Sequence, residues 1–163
     1  MKKKRLVVCR MLWIRTIQKL DYTAVDRLLM QLHQLDVAER PDRFATADHY
    51  MSRESFELLL ENENVLTFLA QERTTIVGCC FVSLLERNEG TPTKTAYIDL
   101  LVVDEAYRRK GIGKALFQAV RKQARRLHAQ NVELMVWSHN EVAVKAYESY
   151  GMMPQRSIYE ISV

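Results

Sequence analysis

The stretch Leu101-Val102-Val103-Asp104-Glu105-Ala106-Tyr107-Arg108-Arg109-Lys110-Gly111-Ile112-Gly113-Lys114-Ala115-Leu116 passes from an apolar strand into the start of a helix. Glycines at 111 and 113 allow close backbone approach. The first helical turn leaves peptide N–H groups unpaired and pointed outward under a favourable macrodipole. Arg108, Arg109, Lys110 and Lys114 add positive charge at the same place. Such a turn is an anion cradle, and a pyrophosphate fits it. A Walker-type loop fails here, because its first glycine would fall on Arg108 and its closing Ser/Thr on Ala115. A dinucleotide fingerprint fails as well, since Leu116 stands where a third small residue is required.

Working outward from the cradle, periodicity defines the neighbouring elements. Ile112, Ala115, Leu116, Ala119, Val120 and Leu127 share one face of a helix over 111–129. The strand feeding it covers 96–103. Upstream, 65–70 and 76–85 read as a hairpin closed by the polar turn 71–75. Before that, Val25, Leu28, Leu29, Leu32 and Leu35 give helical spacing over 21–36, and Ser52 is a plausible N-cap for a second helix. Leu12, Ile14 and Thr16 alternate as in a strand. Downstream come a strand over 132–137, a helix over 140–150 stopped by Gly151, and a closing strand over 156–163. The expected order is β-α-α-β-β-β-α-β-α-β. This predicts a mixed, mostly antiparallel central sheet flanked by about four helices, of the α/β (α+β) class.

Composition sets the outer bounds. With 163 residues, 48% of them hydrophobic and 27% charged, the chain has the balance of one packed domain. The net charge of +4 includes four cations at Lys2, Lys3, Lys4 and Arg5; without them the formal balance is zero, which argues against nucleic-acid binding. Residues 1–10 read as a basic extension ahead of a domain over 11–163. The apolar run at 6–9 is too short for a signal core or a membrane span, so no membrane partner is expected. Cys9 and the adjacent Cys79 and Cys80 give neither a disulfide framework nor metal-ligand spacing, and fit a reducing, cytoplasmic compartment. The histidines, His33, His49, His128 and His139, also lack metal or triad spacing.

A second block carries chemistry. In Trp137-Ser138-His139-Asn140, followed by Ala143, Tyr147 and Gly151-Met152, the residues Asn140, Ala143 and Tyr147 stand at i, i+3 and i+7 and share a helix face. Arg108, Gly111 and Gly113 match the Arg/Gln-x-x-Gly-x-Gly/Ala acyl-CoA motif of the GNAT superfamily. The second block resembles that family's Asn-x-x-Ala-x-x-x-Tyr-x-x-x-Gly-Phe signature, with Met152 in place of Phe. The resemblance covers 11–163. Where the family usually has proline and glutamate, this chain has Glu105 and Ala106.

The resemblance implies an N-acetyltransferase that uses acetyl-CoA as co-substrate and no metal. It moves the acetyl group by direct attack onto a primary amine of a small molecule or peptide. Leu101, Val102 and Val103 would pair with the pantetheine arm, with the Val103 N–H polarising the thioester carbonyl. Arg108, Arg109, Lys110, Gly111, Ile112, Gly113 and Lys114 would hold the pyrophosphate. Asn140 would contact the cofactor arm, and Tyr147 would protonate the departing thiolate. Asp99, a charge within the apolar run 97–101, is the leading general base, with Glu86 in reserve. Acidic residues Asp36, Glu39, Asp42 and Glu89 suit a cationic acceptor, in a pocket expected around 32–44 and 88–94. A homodimer is compatible with the family. Plainer readings stand beside these: turn glycines, an N-cap at Asn140, an interface aromatic at Tyr147, and a structural or solvent-facing carboxylate at Asp99. A non-catalytic acyl-CoA-binding or regulatory module of the same fold is the alternative function.

Overall fold

The computed structural model describes residues 11–88 and 90–161. The basic cluster at 2–5, Cys9, Glu89 and the last two residues of the expected closing strand lie outside them. The strands and α-helices among the described residues are β1 (Leu12–Arg15), α1 (Tyr22–Glu39), α2 (Arg53–Glu61), β2 (Val65–Glu72), β3 (Thr75–Asn88), β4 (Pro92–Val103), α3 (Ile112–Arg126), β5 (Asn131–Leu134) and α4 (Glu141–Ser149). Their sheet runs in sequence order, β1-β2-β3-β4-β5. The first four strands pair antiparallel, and β5 lies parallel to β4. The mixed α/β sheet is the architecture expected from periodicity.

Two apolar layers hold the sheet between helices. On one face α1 buries Val25, Leu28 and Leu29 and α2 buries Phe56, against Leu69, Cys79, Phe81 and Val102. On the other face α3 sets Ile112, Leu116, Phe117 and Val120 against Val77, Cys80, Val82 and Ile98. Alternation along β3 therefore sends neighbouring Cys79 and Cys80 into opposite layers. Both thiols are reduced and buried, and burial pushes Cys79 up to about 12. They pack as small hydrophobes. Gly78 fixes how closely α3 approaches the sheet, because a β-carbon there would stand 2.9 Å from the Val102 carbonyl and 3.2 Å from Leu116.

One expected element is corrected. No strand forms over 156–161. Ile158, Tyr159 and Ile161 are 83%, 93% and 86% exposed. The ladder it would extend is short, since β5 contributes only Asn131–Leu134. Glu160 is instead held by Arg40 and Arg43 beside the α1–α2 connection. The expected 88–94 loop is also shorter than read. Its residues from Pro92 onward join β4, at the end of that strand remote from the glycine turn.

Candidate active site

β4 does more than span the sheet. Its ladder with β5 stops at Ile98↔Leu134, although β4 itself continues to Val103. The edge of 99–103 that would face a longer β5 is therefore free of strand partners among the described residues. Peptide N–H groups alternate sides along a strand. The Asp104 N–H donates to the Val77 carbonyl of β3 at 2.9 Å, so the N–H groups of Val103 and Leu101 point to the open edge. Two donors thus line a gap that an extended ligand can fill as an added strand.

At the end of β4, Asp104 organises the turn into α3. Its carboxylate accepts from the Ala106 N–H at 3.1 Å and pairs with Arg27 of α1, while Gln31 accepts from the Glu105 N–H at 3.1 Å. Burial pushes the Asp104 carboxyl upward, but Arg27 and the Ala106 N–H outweigh it and hold its pKa below the ordinary value. These contacts clamp the turn to α1. Neither Arg27 nor Asp104 was singled out from the sequence. An Asp followed two residues later by a free N–H at a strand end is the local signal that marks Asp104.

The glycine turn then presents the start of α3. Gly111 is its N-cap at φ +81°, a left-handed conformation that glycine adopts without steric cost, and no side chain caps the helix. Gly113 serves packing instead: a β-carbon there would meet the Tyr150 hydroxyl at 3.3 Å and Val103 at 3.7 Å. Arg108 Nε donates to the Val103 carbonyl at 3.2 Å. Lys110 Nζ donates to the Ala106 carbonyl at 2.8 Å and lies over the Tyr107 ring. Arg109 and Lys114 are exposed or nearly so, with no ion pair among the described residues. Ile112 turns its side chain into the core, so only its backbone is available.

α4 follows β5, and the Tyr150 ring at its end lies 5.1 Å from the Phe117 ring of α3. Asn140 is its N-cap, and Oδ1 accepts from the Ala143 N–H at 3.1 Å. The capping role weighed from the sequence is therefore real, and the amide nitrogen of the same side chain is left over. Tyr147 is half-buried, with its ring edge-on to Tyr150 at 6.2 Å. Burial pushes its phenol up to about 12, with smaller contributions from the Cys80 and Tyr150 charges. It keeps its proton through the neutral range.

Asp99 departs from its expected surroundings. The β3–β4 register shifts between Phe81↔Leu100 and Val82↔Ile98, leaving Asp99 as the extra residue of a β-bulge. The bulge exposes the carboxylate, which accepts from Ser83 Oγ at 2.7 Å. The cost-of-burial argument for Asp99 therefore does not apply. Glu86 pairs opposite Lys94 near the far end of the sheet, away from the glycine turn. Among the described residues no His/Cys/Asp/Glu group has the arrangement to hold a metal ion, and no helix is long and apolar enough to cross a membrane.

Residues 29–152 match the family described as Acetyltransferase (GNAT) family. A curated relative, the L-ornithine N5-acetyltransferase NATA1 of Arabidopsis thaliana, is 32% identical over 63% of this chain; the match spans 45% of that relative, less than half its length. Among solved structures, a variant of the BH1408 protein from Bacillus halodurans is 30% identical, with a TM-score of 0.89 over 93% of this chain and 99% of its own. AAC(6')-Iy in complex with a CoA bisubstrate analogue has a TM-score of 0.73 over 93% of this chain and 98% of its own. At 16% identity it speaks for the fold alone.

Proposed function

This chain belongs to the GNAT acetyltransferase family, and we propose on that premise that it transfers an acetyl group from acetyl-CoA to a primary amine by direct attack. The observation that carries the reading is the open edge of β4 at 99–103 beside an uncapped start of α3. The CoA bisubstrate analogue bound by AAC(6')-Iy, a protein of the same fold, supports acetyl-CoA as the donor. The ornithine acetyltransferase relative supports a cationic small-molecule acceptor. The two buried, reduced thiols are compatible with the cytoplasm.

Acetyl-CoA supplies an activated acetyl thioester, and the chain holds it in place for attack. The backbone of Leu101, Val102 and Val103 pairs with the extended arm, and the Val103 N–H donates to the thioester carbonyl. Amides from Arg109 to Lys114, with the charges of Arg108, Arg109, Lys110 and Lys114, hold the pyrophosphate. The amide nitrogen of Asn140 contacts the arm. Tyr147, protonated at neutral pH, donates to the departing sulfur. Asp99, exposed in its bulge and braced by Ser83, takes a proton from the incoming ammonium.

Release of free thiol from acetyl-CoA across a panel of diamines, amino acids and aminoglycosides tests the reading. Amine-dependent release supports it. Retention of CoA with no release for any amine would replace it with a non-catalytic binding module.

A further inference from the structure

Three separate segments converge around Arg40 and Arg43. The Trp137 indole stacks on His139 with centroids 5.8 Å apart and planes 14° apart. Arg40 and Arg43, from the α1–α2 connection, lie over the same ring at 5.1 and 6.0 Å. Both arginines grip the carboxylate of Glu160 from the C-terminal segment: Arg40 Nη1 is 3.1 Å from Oε2, and Arg43 binds Oε1. Asp42 holds another edge of Arg40 at 2.9 and 2.6 Å and fixes its orientation. Two cations and Asp42 leave one positive charge, which the single carboxylate of Glu160 now neutralises.

This fork lies next to the reaction centre assigned above. His139, stacked on Trp137, immediately precedes Asn140. The fork thus presents two guanidinium groups beside the segment that begins α4, chemistry that complements an amine substrate carrying a carboxylate.

Resting on the acetyltransferase reading, we propose that Arg40 and Arg43, backed by Trp137, form a carboxylate receptor for the acceptor, and that Glu160 is the built-in carboxylate the acceptor displaces. The substrate class is an amino acid, an acceptor that carries a carboxylate besides the amine to be acetylated. A planar, bidentate guanidinium is the side chain suited to this selection, and a neutral carboxamide cannot replace the anion it binds.

The test is calorimetric titration of the CoA-saturated protein with L-lysine and L-ornithine, each beside its carboxamide. The free acids should bind about tenfold or more tighter than the amides. Arg43→Gln should remove that preference and leave the amides within about twofold, and Glu160→Gln should tighten the acids. A gain of affinity cannot come from misfolding. Equal binding of acid and amide, no binding of either, or an Arg43→Gln effect of the same size on both overturns the proposal. Preference for the acids with no thiol release would keep the receptor and reject the acetyltransferase reading.

Discussion

The proposed donor and acceptor sites are built in different ways. On the β4–α3 side the proposed ligand contacts are backbone amides, presented by a strand edge and a helix start. On the side of Trp137 they are side chains contributed by the α1–α2 connection, the β5–α4 connection and the C-terminal segment. Backbone recognition demands particular conformations and therefore particular residues, such as Gly111 at φ +81°. Side-chain recognition demands only that distant segments meet. The first suits a donor common to a whole family, and the second can change with the acceptor.

The largest expected effect tests the division of labour at Tyr147. Tyr147→Phe removes a proton donor without disturbing the arm-binding backbone. Turnover should fall about 10² to 10⁴-fold while CoA affinity, read by calorimetry, stays within about twofold; unchanged turnover would withdraw Tyr147 from the acid role. Next is Gly78→Val on the α3 side. The carbonyl of Val102 blocks the new β-carbon, so stability in urea melts should drop by about 1–3 kcal/mol. A neutral result would mean that α3 can retreat from the sheet.

A smaller effect concerns the clamp between the two sides. The Asp104 carboxyl sits below its ordinary value in the folded chain. Its contribution is therefore complete above the unfolded carboxyl pKa, roughly 3.9, and is lost as pH falls through the lower folded value. Asp104→Asn should be less stable than the parent at pH 7, and the gap should narrow in acid melts; a gap independent of pH would remove the ion pair with Arg27 as its cause. The smallest effect is on the acceptor side. Ser52 Oγ accepts from the Ser55 N–H at 3.0 Å, so Ser52→Ala should cost about 1 kcal/mol and leave CoA affinity unchanged. A change in CoA affinity would show the two sides to be coupled.

The same contrast explains what was legible in the sequence. Periods located α1 and α3 because each buries one face against the sheet, and the β2–β3 hairpin because two apolar runs flank a polar turn. The uncapped start of α3 was legible because glycine and a helix start leave a local mark. Asp99 was placed correctly in β4 but wrongly in its surroundings, because a bulge is set by strand pairing and not by alternation. The closing strand failed for a related reason: Ile158, Tyr159 and Ile161 have strand-forming side chains but no ladder reaches them. The 32–44 segment and Trp137 were each marked, but the meeting of Arg40 and Arg43 with Trp137 gave no signal, since it depends on contacts between segments with no common period.

The central claim is that the open edge of β4 and the start of α3 together hold coenzyme A. Amide hydrogen exchange on the protein with and without saturating CoA tests it at the atoms involved. The account predicts slowed exchange at Leu101 and Val103 and across 109–114, with little change in β1 or α2. Exchange unaltered in those two stretches, or protection confined to other parts of the chain, would contradict it.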